Sequence, residues 1–187
     1  MTDALAVQPL TREGFAPFGE VLDTEAAEVR LINAGTCTRF HALATVEARG
    51  EGARAVVSLF RAEPTALPLR LSMMERHPLG GQAFWPLSGG DWLVAVAPDE
   101  DGRPGAPLVF RATARQGVCY APEVWHHPLL TLGRVSDFLV VDRDGPGVNL
   151  EEAQYGTPYT VRVGVDGPAA SRAKVWLSTS EPEGPFA

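Results

Sequence analysis

Short apolar runs separated by turn-forming residues constrain the fold of this chain more than any other feature of its sequence. The runs are four to seven residues long, and clusters of Gly, Pro, Asp and Asn lie between them. This spacing is typical of a β-sandwich or barrel and argues against a parallel sheet built from βαβ units. The predicted strands are Ala55–Phe60, Leu67–Met73, Trp92–Ala97, Leu108–Arg111, Gly117–Tyr120 and Asp137–Asp142.

Helices contribute little to this prediction, which is a mainly β fold with one or two short flanking helices. Thr11–Phe18 starts with a threonine N-cap. Asn149–Gln154 starts with an asparagine cap, has Glu152 at the capping-box position and is followed by Gly156 as terminator. The segment Pro98–Gly105 is acidic and rich in Gly and Pro, so we expect a solvated hairpin loop there and assign it no function.

The length of 187 residues fits one domain, which we predict over residues 1–156. Residues 157–187 form a predicted C-terminal extension with two strand-like pieces, Tyr159–Val163 and Lys174–Leu177. The Pro- and Gly-rich end Ser180–Ala187 is expected to be disordered. We expect the extension to add edge strands or to dock on a partner subunit.

Charge and hydropathy narrow the classes of partner. The formal net charge is −7, whereas binding to nucleic acid needs a concentrated basic face, so no nucleic-acid partner is expected. The N-terminal residues lack the pattern of a signal peptide and no apolar run is long enough to cross a bilayer, so a cytoplasmic protein without membrane contact is predicted. Cys37 and Cys119 show no CxxC spacing and are expected to be reduced and structural.

Three of the four histidines lie in two short segments that also hold other candidate ligands. If the first segment is a strand, Glu75 and His77 point to the same face, because side chains alternate with a period of two. A bend at the following glycine pair can return Gln82 toward that face. With His127 from the second segment, these residues offer the mixed oxygen and nitrogen ligands that suit divalent first-row metals.

Two questions stay open at this point. Only one of the adjacent residues His126 and His127 can face the interior of a strand pair, and the sequence does not say which. The histidines also fit a simpler interpretation, in which they are hydrogen-bonded at strand ends and bind no metal.

Several longer stretches resemble a known family. The spacing Glu75-x-His77-x4-Gln82-x6-Gly89, followed by Gly117-x4-Pro122-x-Val124-x2-His127, is similar to the paired motifs of cupins. Four stretches together resemble the ureidoglycolate lyase family over about Leu10 to Glu152: Arg39-Phe40-His41-x-Leu43-Ala44, Glu75-Arg76-His77-Pro78-Leu79-Gly80-x-Gln82-Ala83-Phe84, Val124-Trp125-His126-His127-Pro128-Leu129 and Asp137-Phe138-Leu139-x-x-Asp142-Arg143.

The resemblance implies a cupin-like double-stranded β-helix barrel and a homodimer. It also implies a lyase that cleaves (S)-ureidoglycolate to glyoxylate and urea in allantoin and purine catabolism, with nickel as the associated metal and no organic cofactor. Two alternatives remain. One is another cupin-type metal-dependent enzyme acting on a small carboxylate, as an amidohydrolase, isomerase or oxygenase. The other is a non-enzymatic barrel that binds a small molecule.

Cleavage of ureidoglycolate requires a base for the hydroxyl proton, an acid for the departing urea nitrogen and a cation for the carboxylate. We assign the acid and base roles to Glu75, His77 and His127, with His126 as the base if the others bind a metal. Arginine binds carboxylates in a bidentate manner, so the predicted clamp is an arginine. The predicted substrate-contacting residues are Arg39, Arg76, Gln82, Trp125, His41 and Asp142, with Arg61 and Arg143 as further candidates for the clamp.

Overall fold

The computed structural model describes residues 4–25, 27–88 and 90–163. One short helix and sixteen strands make up its secondary structure. They are β1 Val7–Pro9, α1 Arg12–Phe15, β2 Gly19–Leu22, β3 Glu28–Ile32, β4 Cys37–His41, β5 Arg54–Ala62, β6 Leu69–Arg76, β7 Gln82–Pro86, β8 Trp92–Ala97, β9 Asp99–Glu100, β10 Arg103–Pro104, β11 Leu108–Ala112, β12 Gly117–Tyr120, β13 Trp125–His126, β14 Leu130–Thr131, β15 Ser136–Asp144 and β16 Glu151–Val161.

Two larger sheets face each other across a shared core. The first has the order β1-β11-β8-β13-β6-β16, with β14 also pairing with β8, and the second has the order β2-β12-β7-β15-β5. The main buried cluster takes side chains from both sheets, among them Trp92 and Val94 from the first and Phe84, Val118 and Phe138 from the second. The prediction of a mainly β, cupin-like barrel is therefore confirmed.

Strand β8 shows why this prediction succeeds. All six of its residues are buried. Trp92, Val94 and Val96 pack between the two sheets, while the alternate residues Leu93 and Ala95 pack on the opposite face of the first sheet. A strand covered on both faces has no polar side to present, so it appears in the sequence as an unbroken apolar run.

The two predicted helices had different outcomes. The N-terminal helix forms, and the Thr11 hydroxyl accepts a hydrogen bond from the backbone N–H of Gly14, but the helix ends at Phe15 rather than Phe18. The prediction of a helix over Asn149–Gln154 was wrong. Those residues lead into β16, which pairs antiparallel with β6, because a ladder of backbone hydrogen bonds outweighs a local capping signal.

The other predicted segments can be placed as follows. Pro98–Gly105 contains the hairpin of β9 and β10, as expected. Tyr159–Val161 continues β16 and pairs with β6, so this strand runs through the proposed boundary at residue 156. Lys174–Leu177, Ser180–Ala187 and Gly89 lie outside the described residues. Within the part of the chain that the structure describes, no helix is long and apolar enough to cross a membrane.

One hairpin belongs to neither large sheet. Strands β3 and β4 pair with each other and form a separate two-stranded sheet. The residues of β3 are exposed, as are those of β4 up to Phe40. The apolar side chains of this hairpin therefore lack a covering surface within the described chain.

Candidate functional site

A cavity opens between the two sheets and is lined by both polar and apolar side chains. Its volume is about 380 Å³, which suits a small ligand. The first sheet contributes Glu75 and His126, whereas the second contributes Gln82, Phe84 and Tyr120. The remaining lining residues are Phe60, Arg61, Ala62, His127, Pro128 and Leu129.

Cross-strand register brings the central polar side chains together. His126 on β13 is directly opposite Glu75 on β6, and residues opposite each other in an antiparallel pair project from the same face. His77 follows the end of β6, two positions after Glu75, and its ring centroid is 5.2 Å from that of His126. One ligand atom from each of these three residues lies within 4.8 Å of the others.

The hydrogen bonds of the two imidazoles determine which ring nitrogen is free. Nδ1 of His77 is 2.7 Å from the carbonyl oxygen of Asn149, and Nδ1 of His126 is 2.9 Å from that of Val124. A carbonyl oxygen only accepts, so Nδ1 carries the proton in each neutral ring and Nε2 carries a lone pair. Both Nε2 atoms are buried and have no hydrogen-bond partner in the described chain. Two free lone pairs and a carboxylate thus converge on one place.

Burial controls the charge of this cluster. It lowers the pKa of His126 to about 3, an effect that the Val124 hydrogen bond opposes and the neighbouring His77 and His127 reinforce. Burial raises the pKa of Glu75, although His77 acts against that shift. His126 is therefore neutral at neutral pH, and a carboxylate with a raised pKa is better suited to accept and return a proton.

The structure distinguishes the two adjacent histidines. His126 is buried and belongs to the cluster. His127 lines the cavity, but its Nδ1 is engaged with the carbonyl oxygen of Pro128 at 2.9 Å. The metal set predicted from the sequence contained His127 where the structural cluster contains His126.

Gln82 and Asp142 lie together on the second sheet. The Gln82 amide is buried and lines the cavity, and its Nε2 donates to a carboxylate oxygen of Asp142 at 3.4 Å. Asp142, predicted from the sequence to contact substrate, therefore orients the Gln82 amide. This contact turns the Gln82 nitrogen toward Asp142 and leaves its carbonyl oxygen unused by that contact.

Arg76 and Trp125 occupy the opposite face of their strands. The Arg76 guanidinium pairs with Asp99 at 3.0 Å and with Glu151 at 2.6 Å, and it lies 4.5 Å from the centroid of the Trp125 ring. The Trp125 indole donates to Asp99 at 2.8 Å. Both residues were predicted to contact substrate, but strand alternation directs them away from Glu75 and His126.

The other candidate arginines differ in the hydrogen bonds and ion pairs that they make. Arg61 makes two hydrogen bonds to the carboxylate of Asp137, at 2.7 and 2.9 Å. Arg143 is buried and donates to three backbone carbonyls, those of Arg49, Gly145 and Pro146. Arg39 lies on the exposed hairpin strand β4, as does His41, whose Nδ1 is buried without a hydrogen-bond partner.

Two residues that contact the cluster were not singled out as site residues from the sequence. The Tyr120 ring stacks on His126 with centroids 4.3 Å apart and planes inclined by 13°. The carbonyl oxygen of Asn149 accepts from His77, and its side-chain oxygen accepts from the backbone N–H of Leu79 at 2.7 Å. The alternation of Gly117–Tyr120 could have marked Tyr120 as inward, whereas the local pattern favoured a helix cap at Asn149.

Asn149 provides a test of how His77 is held. We expect Asn149→Ala to lower kcat about 10-fold with a smaller effect on KM, because loss of the contact to Leu79 loosens the turn that positions His77. Asn149→Asp keeps an acceptor oxygen and should restore most of the activity. Steady-state kinetics of both variants measure this effect, and equal losses in the two would show that the hydrogen bond is not the cause.

Comparison with known proteins identifies the family of this chain. A family model described as ureidoglycolate lyase matches residues 2–162. The ureidoglycolate lyase of Rhizobium etli (strain CIAT 652) is 57% identical over 162 residues, which cover 87% of this chain and 98% of that protein. Ureidoglycolate lyase 1 of Rhizobium meliloti (strain 1021) is 53% identical over 161 residues, covering 86% and 95%. The chain therefore belongs to the ureidoglycolate lyase family.

Proposed function

We propose that this protein cleaves (S)-ureidoglycolate to glyoxylate and urea, as a cytoplasmic enzyme of allantoin-derived purine catabolism. The observation that carries the proposal is the convergence of the Glu75 carboxylate with the free Nε2 atoms of His77 and His126 beside a small cavity. Family membership supports the assignment of ureidoglycolate as the substrate, because relatives more than half identical over nearly their whole length are named for this reaction.

The reaction follows from the chemistry of the substrate. Ureidoglycolate has a hydroxyl and a urea nitrogen on one carbon. Removal of the hydroxyl proton allows the oxygen electrons to form the carbonyl of glyoxylate while the carbon–nitrogen bond breaks, and the departing nitrogen then needs a proton. Glu75 can take the first proton and return it to the urea nitrogen, because burial raises its pKa toward the working range.

The donor set of the cluster fits a divalent first-row metal, and nickel is the ion suggested by family resemblance. The residues that would hold it are His77, His126 and Glu75, since two buried imidazole lone pairs without partners are costly unless something binds them. A bound divalent ion would supply positive charge that lowers the pKa of the substrate hydroxyl. Glu75 has two oxygens, so one can serve as a ligand while the other transfers the proton.

Product analysis tests the function directly. Purified protein is incubated with each enantiomer of ureidoglycolate, with and without a chelator, and glyoxylate, urea and ammonia are quantified separately. Equal amounts of glyoxylate and urea from the S enantiomer are expected. Ammonia in place of urea would indicate an amidohydrolase, and the absence of any product would favour a binding barrel.

The metal prediction has its own matched control. We expect His77→Ala and His126→Ala each to weaken nickel binding at least about 100-fold, because each removes a ligand nitrogen. His127→Ala should leave nickel binding unchanged, since His127 lies outside the cluster. Titration calorimetry and metal analysis after dialysis measure binding without reference to activity, and equal weakening by all three variants would contradict the proposed ligand set.

A further inference from the structure

The urea group of the substrate has a carbonyl and a terminal amide that the acid–base cluster does not bind. This inference rests on the proposed function. Glu75, His77 and His126 act at the carbon that bears the hydroxyl, and they lie on strands of the first sheet or directly follow one. The cavity lies between the two sheets, so the groups that can bind the urea end on the far side of the cavity come from the second sheet.

Tyr120 and Gln82 form a polar pair on the second sheet. They are directly opposite each other across β12 and β7, so their side chains project from the same face with about 5 Å between Cβ atoms. Both side chains line the cavity. The Tyr120 ring also stacks on His126, which places the pair next to the acid–base cluster.

One polar atom of each side chain in this pair is free. The Gln82 nitrogen donates to Asp142, whereas the Gln82 carbonyl oxygen and the Tyr120 hydroxyl make no hydrogen bond within the described chain. The unpartnered polar side-chain atoms that are fully buried in this part of the chain all belong to histidines, so the two oxygens are accessible from the cavity. The pair thus offers one acceptor, the amide oxygen, and one donor, the neutral phenol.

Packing holds the Tyr120 ring in place. The His126 ring lies nearly parallel to it, with the planes inclined by 13°, and Phe84 packs edge-on with ring centroids 5.9 Å apart. Tyr120 is 4% exposed, so the ring has little room to reorient. A donor that is fixed before the reaction stabilises developing charge without further reorganisation.

Electrostatics determines which end of the substrate meets this pair. The Asp142 carboxylate is 3.4 Å from the Gln82 nitrogen, and the Gln82 oxygen is the negative end of the amide dipole. Both repel the substrate carboxylate. The urea group is neutral, and its terminal amide edge presents a carbonyl oxygen beside an N–H. This edge is complementary to a donor and an acceptor that lie side by side.

We propose that Tyr120 and Gln82 form the urea-binding subsite, in which the Tyr120 hydroxyl donates to the urea carbonyl and the Gln82 oxygen accepts from the terminal NH2. As the carbon–nitrogen bond breaks, its electron pair moves to the urea nitrogen and is delocalised onto the urea oxygen. The hydrogen bond from Tyr120 strengthens as this charge develops, so it accelerates cleavage. The nitrogen takes the proton held by Glu75, and neutral urea departs. Gln82 contacts the terminal NH2 and therefore determines specificity for a urea.

A substrate analogue separates the roles of the two residues. In the S enantiomer of 2-acetamido-2-hydroxyacetate a methyl group replaces the terminal NH2, and cleavage of the same carbon–nitrogen bond gives glyoxylate and acetamide. The preference is the kcat/KM for (S)-ureidoglycolate divided by that for the analogue, both measured as glyoxylate release. The wild-type protein is expected to prefer ureidoglycolate at least about 100-fold, because the analogue leaves the Gln82 oxygen unpaired.

The variants are expected to respond differently. Gln82→Met keeps the length of the side chain but loses the carbonyl, so the preference should fall at least about 10-fold. Asp142→Ala frees the Gln82 amide to rotate and should lower the preference by a smaller factor. Tyr120→Phe keeps the ring and its stacking on His126, so kcat should fall about 100-fold for both compounds while the preference stays the same. Gln8→Met, the same change as at Gln82 but at an exposed position on β1, should behave as the wild type.

The outcomes separate this inference from the proposed function. A wild type that cleaves both compounds equally well would overturn the urea subsite and leave the proposed function intact. A preference that neither Gln82→Met nor Asp142→Ala lowers would do the same. Tyr120→Phe with the kcat of the wild type would overturn the role of the hydroxyl. Cleavage of neither compound by the wild-type protein would overturn both the function and the subsite. Nickel titration of each variant should match the wild type, which shows that the cluster is intact.

Discussion

Replacing Glu75 by glutamine is expected to lower kcat about 1,000-fold, the usual contribution of a positioned acid–base group. The amide has nearly the same shape as the carboxylate but cannot take the hydroxyl proton or return it to the urea nitrogen. Because Glu75 faces the free Nε2 atoms of His77 and His126, no other described carboxylate of this chain occupies an equivalent position. Steady-state kinetics with ureidoglycolate measure the change.

A matched control separates catalysis from folding. Glu13→Gln makes the same chemical change at an exposed position on the short N-terminal helix, and it should leave kcat close to that of the wild type. Thermal unfolding of Glu75→Gln should resemble that of the wild-type protein. A Glu75→Gln variant that kept kcat within about threefold would fall short of the effect of a general base, and the acid–base role would have to be reassigned.

The sequence was most informative where one strand alone determines the answer. Alternation within a strand correctly placed Glu75 and His77 on one face, because that rule needs only local geometry. The same rule also directs Arg76 to the opposite face, where it binds Asp99 and Glu151. The place of Arg76 in a family-like stretch favours a contact with substrate, whereas the alternation argues against it.

The register between strands could not be predicted from the sequence. The choice of His126 for the cluster depends on its pairing with Glu75 across β13 and β6, and such pairing is a non-local property. Asn149 shows the same limit. Its local context favours a helix cap, while its role as the acceptor for His77 and Leu79 follows only from the pairing of β16 with β6.

The site draws residues from both sheets, so its geometry depends on the core that holds the sheets together. Glu75 and His126 come from the first sheet, and Gln82 and Tyr120 from the second. Between the sheets, the ring of Phe138 packs edge-on against Trp92 with centroids 5.0 Å apart. Phe138 is 1% exposed, so its ring is almost completely buried at this contact between the sheets.

Phe138→Ala is therefore expected to lower the free energy of unfolding by about 3–5 kcal/mol, through lost burial and the cavity that remains. At about 2–4 °C per kcal/mol for a domain of this size, the melting temperature should fall by about 10 °C. Leu87→Ala removes an exposed apolar side chain and should change stability by less than about 0.5 kcal/mol. Denaturant titration gives both values, and equal losses would show that the rings do not join the sheets.

Below its melting temperature, Phe138→Ala should keep more activity than Glu75→Gln. The Phe138→Ala substitution weakens the packing between the two sheets that carry the site, but it does not remove a reacting group.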